Sequence, residues 1–574
     1  MPLTNEEYAE LVEGIPSPSD PVIQKYLSSK EALIAEEKKH RSDHSFRQAL
    51  SPLAKRACAI FSTILQSERK AAATEPEYVA PEAQDTKSYQ ILQLLPKGAI
   101  LNVHLHDLVD VTHLAELVSF TEGLCISSSE GHLGTDEARR DATVRIRSKA
   151  TAGGGGRGEG IEGEGDTEGE EGSIWDESYT PGRFIDLPEA AVSFPRYGRG
   201  GFIPWLRGRF LRPDATDGES ESGGPERQED SNSAESLLHD VLYYEPIFRA
   251  ALQRVLELLG LDGVSWAELR LTFPLGFYRE NSETPEEDCH YLFSVIDEEV
   301  TKFKAGLEPD QMFWGVRVVW STSLPSLGND SSSDTVATKR RVLVQDMDAC
   351  ISTKLAWPDL VGGYDPSSLT ESHIPELFWF RKQCAEEDVQ IPFHFGSVTL
   401  ENLFDTLLLG ARRVTTSSGE GLSQHPRLLE AVKDKKILVG VSPPPLWPVS
   451  RVKLKSGFDA AGTLSGLVAQ GVGCAVTVGD ERQLSRELWN LVNDTCGKEG
   501  GIDLATLGWM AESSVRWASF EDLDAGSWTR EIREASVGNG TKAERLRKLA
   551  VEWERFCLCV VDEFGEEDAN DGLP

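Results

Sequence analysis

LPKGAILNVHLHDLVD, Leu95 to Asp110, joins a Pro-Lys-Gly turn to a short apolar run with closely spaced histidines. Ile100, Leu101, Val103 and Leu105 carry the β-prone content of a buried strand, and side chains two apart on a strand share a face. Asn102, His104 and His106 are therefore expected to project together at the end of that strand. Three nitrogen-bearing groups on one face suit a binding or metal site. They suit equally a partly buried strand whose histidines bond to the backbone.

At 574 residues the chain is too long for an average single domain and suits one large α/β barrel with insertions and an N-terminal extension. Lys plus Arg number 58 against 94 Asp plus Glu, a net charge of −36. That balance argues against nucleic acid and anionic membrane as partners, since both recruit basic residues. No run of about 18 apolar residues is present to span a bilayer. The opening MPLTNEEYAELVEG lacks the basic and apolar regions of a signal peptide. A soluble, cytoplasmic protein is expected. Nine cysteines, without a Cys-x-x-Cys pair, fit reduced thiols, and Cys557-x-Cys559 in an apolar run reads as packing rather than metal.

Residues 1–90 hold polar helical pattern and read as a helical extension. Residues 91–125 and 237–562 read as one βα array, and 126–236 as an insert after its first strand. Within the insert, 131–174 and 212–236 are Gly-rich or acidic with little to bury and are expected to be disordered, flanking an ordered aromatic island at 175–211. The glycines of GGGGRGEGIEGEGDTEGEEG lack the Gly-Lys-Ser/Thr of a phosphate loop. Residues 563–574 read as an acidic tail. Besides the first stretch, the expected strands are Val264–Leu271, Phe313–Trp320, Leu360–Tyr364, Gln390–Phe395, Arg412–Thr416, Ile437–Ser442 and Cys474–Val478. Eight βα units suggest a closed TIM-type (β/α)8 barrel whose site lies at the C-terminal strand ends, where His104, Glu268, Arg270, His394, Ser442 and Asp480 fall.

PKGAILNVHLH, AELRLTF, FWGVRVVWS, LVGGYD, PFHFG, NLFDTLLLGARRV with SQHP, and VTVGDE follow one another as in the adenosine deaminase family. The island GRFIDLPEAAVSFPRYGRGGFIPWLRGR resembles its growth-factor-type, adenosine deaminase 2-like branch, so the resemblance covers roughly residues 90 to 560. It implies a zinc-dependent hydrolytic deamination of adenosine or 2′-deoxyadenosine to inosine, with zinc held by a His-x-His, a further histidine and an aspartate. A glutamate and another histidine would move protons, and a second aspartate would hold the purine. It also implies a possible homodimer and, as the alternative to a cytoplasmic location, secretion.

The chain departs from that pattern at nearly every chemical position. Counted from Pro96-Lys97-Gly98 without a gap, the first ligand histidine falls on Asn102, the second on His104, and the family's following aspartate on His106. A two-residue shift makes His104 and His106 the pair instead. His394 matches the third histidine, Ser397 stands at the glutamate, Thr416 at the proton-handling histidine and Gly479 at the metal-binding aspartate, leaving Asp480 for the purine. Glycine offers no donor and a neutral asparagine is a poor zinc ligand, so zinc binding is expected to be weak or absent, with His104, His106 and His394 as the remaining set. A serine hydroxyl titrates too far from neutrality to replace a general acid/base. Glu268 and Arg270 read as ion-paired inside the barrel, because charges at that depth need partners. His425 reads as a cap or packing residue. The expectation is a catalytically impaired relative that binds a purine nucleoside or a protein. The alternative is an active adenosine deaminase, or a related metal-dependent amidohydrolase, with a non-standard site.

Overall fold

The computed structural model describes residues 8, 12, 15–74, 83–129, 131–148, 173–211, 237–273, 276–282, 284–309, 311–324, 333–396, 400–416, 422, 425–441, 460–477, 483–497 and 500–565. The chain is an α/β fold of parallel sheets and many helices.

β1 (Gly98–His104), β5 (Val264–Phe273), β6 (Gly315–Thr322) and β7 (Val361–Asp365) form one parallel sheet in that order. A second parallel sheet holds β8 (His394–Phe395), β9 (Arg413–Thr416), β10 (Leu438–Val441) and β11 (Cys474–Val476). A single parallel bridge from Tyr364 to Phe393 joins β7 to the start of β8. All eight strands expected from the apolar runs are present, with ends moved by up to four residues. Their near-continuous burial follows from helices on one side and a packed interior on the other. No pairing of β11 with β1 occurs among the described residues.

The Pro-Lys-Gly turn sets the start of β1. Lys97 is fully enclosed, and its Nζ donates to the carbonyls of Leu92, Gln93 and Leu95 at 2.8, 3.2 and 3.0 Å, with Asp262 at 3.7 Å. The ammonium thus closes the end of the preceding helix, Lys87–Leu94, whose last carbonyls have no intrahelical partner. Below the strand lies helix Leu504–Arg516, started by Asp503 accepting from the Thr506 N–H. It packs against both β1 and β11. The Ser514 hydroxyl accepts the Ala99 N–H at 2.8 Å.

Between β1 and β5 the chain builds a separate three-stranded antiparallel sheet, in the order β3 (Val144–Ser148), β2 (Leu124–Ser128), β4 (Ile185–Asp186). Helix Arg199–Phe210 follows, and its Phe202 and Trp205 pack edge-on or tilted with Trp175 and Phe194. One expectation is corrected here. Residues 131–148, assigned to a disordered arm, carry helix Asp136–Asp141 and β3, whose alternation buries Val144, Ile146 and Ser148 and exposes Arg145 and Arg147. The Gly and Glu run 153–172, the stretch 212–236 and the tail from residue 566 lie outside the described residues.

Gly98 has φ +71°, and a Cβ there would fall 2.5 Å from the Ala511 carbonyl oxygen. Gly98→Ala should therefore destabilise the chain by at least ~2 kcal/mol, through left-handed backbone strain and the forced retreat of the covering helix. Urea denaturation checks it, and an unchanged midpoint would show that this junction does not constrain β1.

Candidate functional site

The geometry of the site begins with an irregularity in β1. Leu101 registers with Glu268 and Val103 with Leu269, so Asn102 is an extra residue in the ladder. Its φ of +60° is left-handed, a conformation that asparagine tolerates better than most residues. The bulge shifts the phase of the strand: Ala99 and Leu101 belong to the same apolar cluster as Trp266, whereas Val103 joins the helix-side core. His104 then pairs with Arg270. The expected shared face of Asn102, His104 and His106 does not form by alternation, because the strand bulges at the first and ends at the second.

His106 lies on the helical turn Leu105–Leu108. The two histidines still meet, their rings stacked with centroids 4.6 Å apart and planes 24° from parallel. His106 Nε2 is 3.4 Å from Asp107 Oδ1. Arg270 Nε donates to His104 Nδ1 at 3.3 Å, and Arg270 Nη1 to Asp365 Oδ2 at 2.5 Å. The other Asp365 oxygen accepts from the Ser367 hydroxyl at 2.6 Å, the Ser367 N–H at 2.9 Å and the Gly396 N–H at 3.1 Å. Residue 396 must be glycine for this, since a Cβ would stand 1.4 Å from the guanidinium.

A second polar layer lies two residues earlier on β5. Glu268 is wholly buried, ion-paired with Arg413, and accepts from the Ser519 N–H at 2.7 Å and Trp266 Nε1 at 3.2 Å. Burial pushes the Glu268 carboxyl up, but Arg413 and these donors outweigh it and hold it below its ordinary value. His394, also wholly buried, belongs to this layer. Its Nε2 is 3.3 Å from the Ser519 hydroxyl, and its Nδ1 has no partner among the described residues. Burial, reinforced by Arg413 and Arg412, drives its pKa well below the ordinary histidine value, so the ring is neutral.

The structure therefore gathers His104, His106, Arg270 and Asp365 in one layer, and His394, Glu268, Arg413 and Ser519 in another. Sequence reading foresaw that Glu268 and Arg270 need partners but missed Asp365, although it closes the quoted LVGGYD segment. Asn102 is buried, and both polar atoms of its amide lack a partner among the described residues. Thr416 ends β9, where only its backbone is described. Ser397, Ser442, Gly479 and Asp480 lie outside the described residues. His425 precedes helix Pro426–Asp434 and makes no side-chain cap bond.

Among the described residues no three His, Cys, Asp or Glu side chains converge as a metal requires. His104 Nδ1 accepts from Arg270 Nε. Asn102 offers only a neutral amide.

No family model matches this chain. A segment of 210 residues is weakly homologous to adenosine deaminase from Lutzomyia longipalpis, 24% identical over 35% of this chain and 37% of that relative. Adenosine deaminase from Phlebotomus duboscqi is 25% identical over the same shares. The match thus spans little more than a third of these relatives' length. A solved amidohydrolase structure from Burkholderia ambifaria, with bound Zn, superposes with TM-score 0.43 at 14% identity, covering 83% of this chain and 97% of that one. Among the described residues, no helix is long and apolar enough to cross a membrane.

His394 titrates below its unfolded value, so between the two pKa values the unfolded chain binds the extra proton. Stability is then fully present above about pH 6.5 and falls as the pH drops below it, by up to ~1.4 kcal/mol per pH unit. Urea melts at several pH values should show this slope reduced in His394→Gln relative to the parent. An identical acid slope in both would mean that His394 is solvated or protonated in the folded chain.

Proposed function

We propose that this chain is a non-hydrolytic relative of the adenosine deaminases, a closed (β/α)8 barrel that binds a purine nucleoside at the C-terminal ends of its strands. Closure would set β11 beside β1 above helix Leu504–Arg516, with the N-terminal helices as an extension and the antiparallel sheet as an insert. The observation that carries the reading is the donor geometry. Two stacked imidazoles stand beside an arginine, and the third is held on Ser519 one layer below.

Activating a water for attack on C6 of a purine requires either a metal or a base poised near neutrality. His394 is neutral, but it is buried among Arg413 and Ser519. At the aligned positions Ser397, Thr416 and Gly479 supply neither ligand nor base. Purine binding is supported by the 210-residue match to adenosine deaminases. It is supported also by the amide of Asn102, whose donor and acceptor have no partner among the described residues and could meet a base edge.

Purified protein should carry far less than one zinc per chain and should not deaminate adenosine or 2′-deoxyadenosine above background, with or without added zinc. Calorimetric titration should nonetheless show saturable binding of adenosine or inosine. Since such groups act as a unit, Asn102→His, Ser397→Glu, Thr416→His and Gly479→Asp combined should recover zinc before activity. Turnover near the ~10 s⁻¹ typical of enzymes, abolished by His394→Ala, would instead establish a working hydrolase with a non-standard site.

A further inference from the structure

On the helix-covered face of β6 and β7, helix Ser333–Ala356 presents Asp346 to the sheet. Asp346 is 6% exposed, and its Oδ2 accepts Trp320 Nε1 at 3.0 Å and the Thr322 hydroxyl. Thr322 Oγ1 is in turn 2.6 Å from the Tyr364 hydroxyl. Three side chains from two adjacent strands thus hang on one carboxylate of the covering helix.

What this carboxylate lacks is a cation. Elsewhere the chain pairs buried carboxylates with guanidinium groups: Glu268 with Arg413, Asp365 with Arg270, Glu376 with Arg340 and Glu299 with Arg249. Asp346 joins no ion pair among the described residues. The titratable groups that face it are Cys289 ahead of helix His290–Ala305, Cys350 one turn along its own helix, and Tyr364 on β7. On helix Ile374–Glu386, which packs alongside, Cys384 faces Cys350 and Glu376 is taken by Arg340. Lys354, further along the helix, is held by Asp522. Two neutral donors compensate a buried carboxylate less than a cation does, and burial pushes the Asp346 carboxyl up from 3.8 to about 6.

We propose that Asp346 is a proton-operated latch. As the neutral acid it seats helix Ser333–Ala356 on β6 and β7, and as the ionised carboxylate it leaves an unpaired charge under the helix and loosens that seat. The oxygens accommodate both states: the ionised group accepts from Thr322, whose oxygen accepts from Tyr364, while the neutral group can donate to Thr322 and reverse the relay. Tyr364 adjoins Asp365, so the latch lies behind the strand end that holds Arg270. It requires no ligand and stands apart from the purine reading. The folded carboxyl binds its proton more tightly than the unfolded one, so the stability it confers is complete below pH 3.8 and is lost as the pH rises through about 6.

The test compares the full chain with Asp346→Asn, which keeps an acceptor for Trp320 but takes up no proton. In urea melts the unfolding constant of the parent should rise ~100-fold relative to the variant between about pH 4 and about pH 6, without further divergence above that range. Asp348→Asn, at an exposed position on the same helix, should track the parent. The second readout is local: labelling of Cys350 by dithiodipyridine, counted by peptide mass spectrometry against Cys474, an equally buried thiol on β11. In the parent the ratio of Cys350 to Cys474 labelling should rise at least ~5-fold from about pH 5 to about pH 7.5, and in Asp346→Asn it should stay flat. The parent ratio alone decides the matter where the variant does not fold. A flat ratio in the parent overturns the proposal, and so does an Asp346→Asn chain that keeps the parent's pH dependence in either readout.

Discussion

The Glu268–Arg413 ion pair is the interaction on which the interior depends. Glu268 is on β5 of the first sheet and Arg413 on β9 of the second, so the pair spans the space between the two four-stranded halves. Burying two charges is favourable only when the remaining hydrogen-bonding capacity is met. Here the carboxylate takes the Ser519 N–H and Trp266 Nε1, and the guanidinium donates to the Trp517 carbonyl at 3.1 Å, while Arg413 Nε alone of the pair has no partner among the described residues. Loss of either partner would leave an uncompensated buried charge, at a cost of about 3–5 kcal/mol. Ser519 in turn holds His394. The pair thereby fixes the depth of β5, and Arg270 emerges two residues later at the level of His104 and Asp365.

The eight strands were legible because each is a short apolar run bounded by turn residues, and its length and β-branched or aromatic content favour a buried strand over a buried helix. The Pro-Lys-Gly turn was legible for the same reason. The bulge was not. A left-handed Asn102 looks like any polar residue in a strand, and nothing in LNVHLH distinguishes a ladder that skips a residue from one that does not. Once it is skipped, every inference from alternation beyond it changes. His106 met His104 because a helical turn carried it back, a route that period-two counting cannot see.

The insert failed differently. Val144, Arg145, Ile146 and Arg147 alternate as a half-exposed strand should, yet the Gly-rich run that follows dominated the composition of the window. For the site, residue types were readable and partners were not. That Arg270 needs an anion follows from its depth, but choosing Asp365 requires knowing that Gly396 leaves room for the guanidinium between β7 and β8.

The residues that tie the two parallel sheets together and those that would perform a hydrolysis are separate sets. Glu268, Arg413, Arg270, Asp365 and Gly396 interlock, and none of them stands at one of the four positions where the sequence departs from the pattern it resembles. On the proposed function, loss of chemistry at positions outside this set would not require loss of these contacts. Asn102 shows what remains. Both polar atoms of its buried amide lack a partner among the described residues, and an unmet buried polar group costs about 1–3 kcal/mol. A ligand presenting an adjacent donor and acceptor, as a purine edge does, removes that penalty on binding without needing a metal, a base or a bond broken.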